Sequence, residues 1–566
     1  MAVAAKSAGK RAPGRSKPTA SAPEAAPPAG PATRYPLLPV EAGARWTLFG
    51  LLAVALGLRT VNLTGMFPIL VDEAIYLRWA EIIQHQGQWF ISLLDGKPPL
   101  SYWFLALARF VSGADPLLQG RLISALAGTA ATFGIFQVGR RIAEPESSER
   151  AGLAAAGLYA VFPWALLYDR LAYTEAWVNL FGVAIAWTSL LCFEQIGRNW
   201  SREVPPGLAL GLGLFTKQTA ILFGLVPLAA AYFYGRGGSR SWIVRAAVIY
   251  AIAALFLAAN FILTPEAPTL ATHDAVLHHT GFFANPQELM ADPFVAARSN
   301  FPKLLSYIGT YVTWPAALAA LASAVWLARR RSFAPWLLLA GALVPVTAEA
   351  FLLELMFPSR YPFPHFWPWL AVAAVGVTAA ADELAPAGKK ALAWAGLLAL
   401  VAAPLLWRDA RMLGEPEQGL HASDAEGFLG DHAHVGYGIA EAIDFLRNEA
   451  RSGPYVLLTD PIWGPPADAI FPYLNQRYGI RVFEAWWTQL SPNHSILPQG
   501  EAEVLRSHYE RVSAGSVDFR QVPRVFYVTD THYYPREAVL IRQPNAQLVA
   551  SFPKRNGHSI DVYRLK

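Results

Sequence analysis

Charge is what this sequence has least of for its length. Of its 566 residues, 15% are Asp, Glu, Lys or Arg, while 54% are hydrophobic. A soluble globular chain usually carries about 25% charged residues. With 19 Trp, 31 Phe and a mean hydropathy of +0.29, the balance points away from a soluble enzyme and toward a polytopic membrane protein. Cysteine is nearly absent as well. Cys192 stands alone inside an apolar segment, which excludes an intrachain disulfide and a cysteine-built zinc site. Residues 1–35 lack large apolar side chains almost completely. They cannot form a core and are expected to be disordered. No small-x-small cleavage site follows the first apolar run, so a cleaved signal peptide is not expected. No internal repeat is found, and nothing in the pattern calls for nucleic acid.

What the chain has is apolar runs. Segments able to cross about 30 Å of hydrocarbon fall at 46–62, 118–141, 150–168, 174–193, 219–234, 241–263, 303–328, 333–353, 363–380 and 390–407. A shorter run, 205–216, brings the expected number to about eleven. The net charge of +5 is small, but the positions of its basic residues are informative. Alternate loops carry Arg140, Arg141 and Arg150; Arg198 and Arg202; Arg236, Arg240 and Arg245; Arg329, Arg330 and Arg331; and Lys389 with Lys390. The basic N-terminal tail falls on the same side. By the positive-inside rule this side is cytoplasmic. Removing the 205–216 span would invert every later loop. The expected organisation is a basic cytoplasmic tail over 1–45, a membrane domain over 46–407, and an extracytoplasmic domain over 408–566.

The C-terminal stretch reads as a small α/β unit. GIAEAIDFLRNEA (438–450) has the period of an amphipathic helix. PYVLLTD (454–460), PRVFYVTD (523–530) and SIDVYRL (559–565) read as strands.

Polar residues collect on the outer side. The long first loop, 63–117, contains VDEAIYLRWA, where Asp72 and Glu73 are adjacent. Ile75, Trp79, Ile82 and Ile83 recur at helical spacing, so a helix lying in the membrane interface is expected over 72–84. Neighbours on a helix point about 100° apart, which gives the two acids different surroundings. Asp72 shares a face with Tyr76. Further on, LLDGKPPLSYWFLALARFV (93–111) sets Lys97 at the start of an apolar helix. Helix starts attract anions, but Pro98 and Pro99 remove two N–H donors, leaving the lysine to supply most of any phosphate binding. YDRLAYTE (168–175) brings Asp169, Arg170 and Glu175. GLFTKQT (213–219) ends a short span at Lys217. THDAVLHHTGFF (272–283) offers His273, Asp274, His278 and His279. SRYPFPHFWPWL (359–370) offers Arg360, Tyr361 and His365.

In their order and spacing these motifs resemble the GT-C glycosyltransferases that use polyprenyl-phosphate sugars, the superfamily of dolichyl-phosphate-mannose–protein mannosyltransferases and aminoarabinose transferases. The resemblance covers roughly residues 46–380. It departs from the family at Glu175, where Asp is usual, and at Gln218, where Gly is common. It implies a GT-C membrane fold and a hexosyl- or pentosyltransferase of the cell membrane, acting on the extracytoplasmic face with inversion. Its donor would be a polyprenyl-phosphate sugar, and its acceptor a glycan, lipid or protein hydroxyl.

On this resemblance Asp72 is the general base, with a pKa raised by partial dehydration. Its other reading is a plain N-terminal helix acid. Glu73 is either a second catalytic or metal-linked acid or a solvating one. Lys97, Lys217 and Arg170 would hold the donor phosphate, where stabilising developing charge matters most. Snorkelling lysines are the alternative, and Arg170 has pairing with Asp169 as its alternative. Tyr76, Glu175, Arg360, Tyr361 and His365 would line the substrate. No cofactor is required. A divalent metal is left open, with His278 and His279 as its candidates, although adjacent histidines are poorly spaced for one ion. Two further readings are a transporter or flippase of lipid-linked glycans and a membrane-anchored binding protein. Transporters place ionisable residues near the midplane and have repeated halves, whereas here the charges gather at one surface.

Overall fold

A proline and a threonine at positive φ break two of the apolar runs of this chain at definite points. The computed structural model describes residues 36–111, 113–194, 200–234, 241–263, 284, 286–353, 358–460, 463–484 and 523–565. The first helices are α1 (Ala42–Thr60), α2 (Val71–Gln86), α3 (Leu100–Val111), α4 (Pro116–Ile142), α5 (Ser148–Ala160), α6 (Pro163–Tyr168), α7 (Glu175–Phe193), α8 (Val204–Leu214), α9 (Leu225–Tyr234) and α10 (Ser241–Ile262). Asp115 caps α4 by accepting from Leu118 N at 2.9 Å, with Pro116 at the first helical position.

Among the described residues, six helices are long and apolar enough to cross a membrane: Pro116–Ile142, Glu175–Phe193, Trp242–Ile262, Ala334–Leu352, Phe363–Leu384 and Lys390–Gly414. A seventh arises if Val295–Val312 and Trp314–Arg329 count as one span bent by 100°. Of the eleven expected, this count bears out six or seven among the described residues, by length and composition. The run at 150–168 is split into α5 and α6 at Pro163, whose ring cannot continue the preceding helix. The run at 303–328 breaks at Thr313, where φ is +67°. The run at 205–216 is an 11-residue helix, about 16 Å long.

The basic loops do meet at one end of the bundle. Arg150 pairs with Asp382 at 2.8 Å, Arg330 with Glu144 at 2.8 Å, and Arg141 with Glu194 at 3.5 Å. Toward the other end, the turn between α6 and α7 settles on α4. A Cβ on Gly128 would lie 2.1 Å from Asp169 Oδ2, so only glycine permits that approach. Asp169 accepts from Arg59 Nε at 2.9 Å, tying the turn to α1 as well.

The C-terminal segment carries a five-stranded mixed sheet, in the order β2-β1-β3-β5-β4. The strands are β1 (Tyr455–Thr459), β2 (Ile480–Glu484), β3 (Val525–Asp530), β4 (Gln547–Pro553) and β5 (Ser559–Arg564). β1 pairs parallel with β2 and β3, while β5 runs antiparallel between β3 and β4. The segments read as strands at 454–460, 523–530 and 559–565 are β1, β3 and β5, and the helix at Ile439–Glu449 lies where periodicity put it. β1 and β3 are buried along their whole length, as strands covered on both faces should be.

This segment covers α2, which overturns the expected interfacial helix. Every residue from Glu73 to Ile83 is buried. Arg78 lies over the Phe471 ring at 3.4 Å, Asn475 Nδ2 donates to Glu81 Oε1 at 2.9 Å, and Val71 N donates to His434 O at 3.0 Å. The polar face that would have met water meets protein.

Candidate active site

The start of α2 is held by a carboxylate that accepts four hydrogen bonds. Glu73 Oε1 accepts from Arg121 Nε (2.8 Å) and Ala172 N (2.8 Å). Its Oε2 accepts from Arg121 Nη2 (2.6 Å) and Leu70 N (3.2 Å). The contact to Leu70 is the returning half of a capping box, from the third helical residue. Glu73 and Arg121 are both fully buried. Glu73 is therefore neither a solvating acid nor open to a reacting group. It is a positioning residue that joins α2, α4 and the 169–175 turn.

Its neighbour Asp72 faces the other way and pairs with Arg360 across 288 positions of sequence. Around this pair gather groups from three more segments. Gly96, at φ +67°, turns the chain so that Lys97 N donates to Ser92 O at 3.0 Å. Lys97 Nζ reaches Asp95 Oδ2 at 2.9 Å and lies 5.4 Å and 5.3 Å from the centroids of Tyr76 and Trp79. Just after it, Leu100 N donates to Phe215 O at 3.0 Å, which brings the Lys97 turn against the end of α8, where Lys217 follows. Lys217 Nζ pairs with Glu175 Oε1 at 2.7 Å and lies 4.8 Å from the Tyr361 ring. Arg360 also rests on Tyr361, at 5.4 Å. The result is three cations against three carboxylates, walled by aromatic rings.

Burial pushes the Asp72 carboxyl up, but Arg360 and Lys97 outweigh it and, with Lys217, hold it below the usual carboxylate range. The expected raised pKa is thus overturned. Three neighbouring cations favour the charged form more than dehydration disfavours it. Asp72 side-chain exposure is 14% and that of Lys97 is 37%, so the pair and its lysines are reachable from outside the protein.

Three expected residues do other work. Arg170 donates to the carbonyls of Leu58 (2.7 Å), Val61 (2.6 Å) and Asn62 (3.2 Å), capping the end of α1. Both of its terminal nitrogens donate there, which takes it away from the phosphate group, and Asp169 pairs with Arg59 in its place. His365 packs on Phe223 at 4.6 Å, with Nδ1 3.3 Å from Gly341 O and Nε2 3.6 Å from Glu349. It is a buried packing residue apart from the cluster. Tyr76 is buried against Trp79, Tyr102 and Tyr173, so it forms the floor beneath Lys97. His273, Asp274, His278 and His279 lie outside the described residues.

Sequence reasoning missed four positioning groups. Arg121 and Arg59 were legible as lone arginines in apolar runs, where an ionisable group demands a partner. Asp95 sits in the LLDGK turn beside Lys97. Asp424 gave no signal. It accepts from Ser359 Oγ at 2.7 Å and from Tyr311 OH, and Tyr168 OH bonds Ser359 Oγ at 2.6 Å. That network anchors the residue before Arg360, and burial pushes Asp424 up to about 6. A cavity of about 930 Å³ opens nearby between Met66, Phe67, Glu415, Tyr437 and Arg555, but none of Asp72, Lys97, Lys217 or Arg360 lines it.

The family model for dolichyl-phosphate-mannose-protein mannosyltransferase matches residues 96–259, a stretch that holds Lys97, Glu175 and Lys217. No curated protein sequence matches the chain. Among solved structures, ArnT from Cupriavidus metallidurans in the apo state is 16% identical over 93% of this chain and 99% of its own, with a TM-score of 0.55. The same protein bound to undecaprenyl phosphate is 15% identical over the same shares, with a TM-score of 0.54. The oligosaccharyltransferase of Archaeoglobus fulgidus in the apo form is 14% identical over 86% of this chain and 70% of its own, with a TM-score of 0.48. The chain shares the ArnT fold across nearly its whole length. The resemblance to GT-C transferases read from the motifs thus recurs in the family model and in the fold.

Proposed function

We propose that this chain is a membrane glycosyltransferase that moves a sugar from a polyprenyl-phosphate donor to an acceptor hydroxyl, with inversion, on the face opposite the basic loops. The observation that carries this reading is the meeting of Asp72 with Arg360, Lys97 and Lys217. A phosphodiester needs cations, an acceptor hydroxyl needs a carboxylate, and the cluster supplies both side by side. Its place at one end of the bundle suits a lipid that arrives from the bilayer and an acceptor that arrives from water.

The donor phosphate settles between Lys97, Lys217 and Arg360. It competes with Asp72 for Arg360 and with Asp95 and Glu175 for the lysines. Released from its arginine, Asp72 becomes the stronger base and takes the acceptor proton as the oxygen attacks the anomeric carbon. The bond to the phosphate oxygen breaks on the opposite side, and the three cations stabilise the leaving phosphate. The reaction is tested by giving the detergent-solubilised protein a panel of polyprenyl-phosphate sugars and measuring released polyprenyl phosphate. Release from none of them, in folded protein with an acceptor lysate present, would remove the transferase reading. The flippase reading has no supporting feature here, since the clustered charges lie at a span end.

Two outcomes follow from the cation cluster. Lys97→Ala is expected to lose about 10- to 150-fold in turnover, the worth of one charge-assisted contact at roughly 1.5–3 kcal/mol. Lys97→Arg should keep most of it. Equal turnover in Lys97→Ala and wild type at matched protein level would take Lys97 out of the site.

The second outcome concerns pH. In the free enzyme Arg360 and Lys97 hold Asp72 below its usual range. The acid limb of kcat/KM, which reports the free enzyme, should therefore lie below the ordinary carboxylate range. The limb of kcat, which reports the donor complex, should lie higher, because the phosphate has drawn charge away from Asp72. Limbs at the same pH would show that Asp72 keeps Arg360 throughout.

A further inference from the structure

We propose that Asp431, His532 and His558 form a divalent metal site, with Zn2+ as its natural ion, that staples the turn above α2 to the ends of the inner strands β3 and β5 of the C-terminal sheet. The three come from separate parts of the chain. Asp431 follows the helix Ala422–Leu429, His532 follows β3, and His558 precedes β5. Antiparallel pairing of β3 with β5 sets the two histidines together, helped by Thr531 N donating to Ser559 O at 3.0 Å and Ser559 N donating to Thr531 Oγ1 at 2.8 Å. Their rings stack at 3.6 Å, with 15° between planes. One ligand atom from each of the three residues lies within 4.8 Å of the others.

The bonding around His532 favours an ion over an internal ion pair. Its Nδ1 faces Asp530 Oδ1 at 3.0 Å. Asp530 is fully buried, and Lys554 Nζ neutralises it at 2.6 Å. A carboxylate behind the ring holds the proton on Nδ1 and leaves a lone pair on Nε2, as in histidines that ligate metals. That Nε2 is 3.3 Å from Asp431 Oδ1, a buried oxygen that accepts no hydrogen bond. Two lone pairs therefore confront each other, and a cation between them satisfies both. Two imidazoles and one carboxylate suit Zn2+ at about 2.0–2.2 Å, with a fourth position for water. Occupation turns one imidazole out of the stack, since the ion must lie in both ring planes, and sets the ligand atoms roughly 3.4 Å apart, the edge of a tetrahedron with arms of about 2.1 Å. All three residues are partly exposed, so an ion can reach them.

The site's place in the fold suggests what it does. Asp431 lies three residues before His434, whose carbonyl accepts from Val71 N at 3.0 Å, and Val71 precedes Asp72. Lys554 Nζ adds a bond to His432 O at 3.1 Å. The metal holds the 431–434 turn to the sheet, and the turn holds the start of α2. Its role is positional, and its existence does not depend on the reaction proposed above.

The test uses the full chain in detergent, with its affinity tag removed. The protein is stripped with EDTA, given Zn2+ alone, desalted and measured by elemental analysis. About one Zn2+ per chain is expected for wild type and for His432→Ala, a neighbouring histidine outside the set. His558→Ala and Asp431→Asn should each retain less than a tenth of that. A wild type that holds no zinc, variants that hold as much as wild type, or loss of zinc in His432→Ala would each overturn the assignment. Wild type loaded with Co2+ provides a reading that needs no variant. Visible bands of a tetrahedral ion support the site, and the spectrum of hydrated Co2+ alone overturns it.

Discussion

Asp72→Asn is expected to fold, to insert and to bind the lipid donor, yet to lose about 10²–10⁴-fold in turnover, the usual worth of a general base. Asparagine keeps the size of the side chain and can still meet Arg360 through its oxygen, but it cannot take a proton at neutral pH. The charge change also acts on binding. Asp72 is the carboxylate that holds Arg360 before the donor arrives. Without its charge, Arg360 is freer to meet a phosphate, so donor affinity should stay level or rise while turnover falls. That split separates loss of a base from loss of a fold, which would lower both. The measurement pairs turnover with donor binding on the same preparation, for instance by displacement of a fluorescent polyprenyl phosphate. Near-full turnover in Asp72→Asn would mean that another group takes the proton.

Glu73→Gln, one residue away, should fail in a different manner, by about 3–5 kcal/mol of stability, the cost of removing one partner of a buried ion pair. Each Glu73 oxygen accepts two hydrogen bonds, Oε1 from Arg121 Nε and Ala172 N, and Oε2 from Arg121 Nη2 and Leu70 N. A glutamine must put an NH2 group in one of those places, where it opposes two donors whichever way it turns. Arg121 keeps its carbonyl contacts at Leu63, Phe67 and Pro68 but loses its counter-charge. The thermal midpoint in detergent should drop sharply. A Glu73→Gln protein with a wild-type midpoint and no turnover would place Glu73 in the reaction itself. The adjacent acids thus separate cleanly: Asp72→Asn changes chemistry at constant stability, and Glu73→Gln changes stability first.

Much of this site was readable before folding. Lys97 sits in a GKPP turn because glycine permits the positive φ and the prolines start the next helix. Lys217 ends a run too short to leave the surface. Arg360 and Glu175 lie at the same level by the alternation of spans. Each of these is a local property of spacing and residue type. Arg170 meets neither the donor-phosphate group expected of it nor its alternative partner Asp169, because folding brings Arg59 to Asp169 and the end of α1 to Arg170. Sequence adjacency does not measure distance when a turn packs against two other helices.

The sequence by itself determined the medium, the apolar segments, the shared level at which ionisable groups collect and the strands β1, β3 and β5, because all of these follow from hydrophobic patterning over a few to twenty residues. Only the tertiary structure decided how many of those segments stay unbroken, since a composition window does not register the split at Pro163 or the turn at Thr313. It also decided that α2 is covered by protein, that Glu73 is a strut and Asp72 the accessible acid, and that Asp72 is held below its usual range. These depend on partners supplied from far along the chain: Arg360 lies 288 positions from Asp72, and Arg121 lies 48 from Glu73. A carboxylate's role is set by the charges and donors within a few ångströms of it, and chain position alone does not specify which those will be.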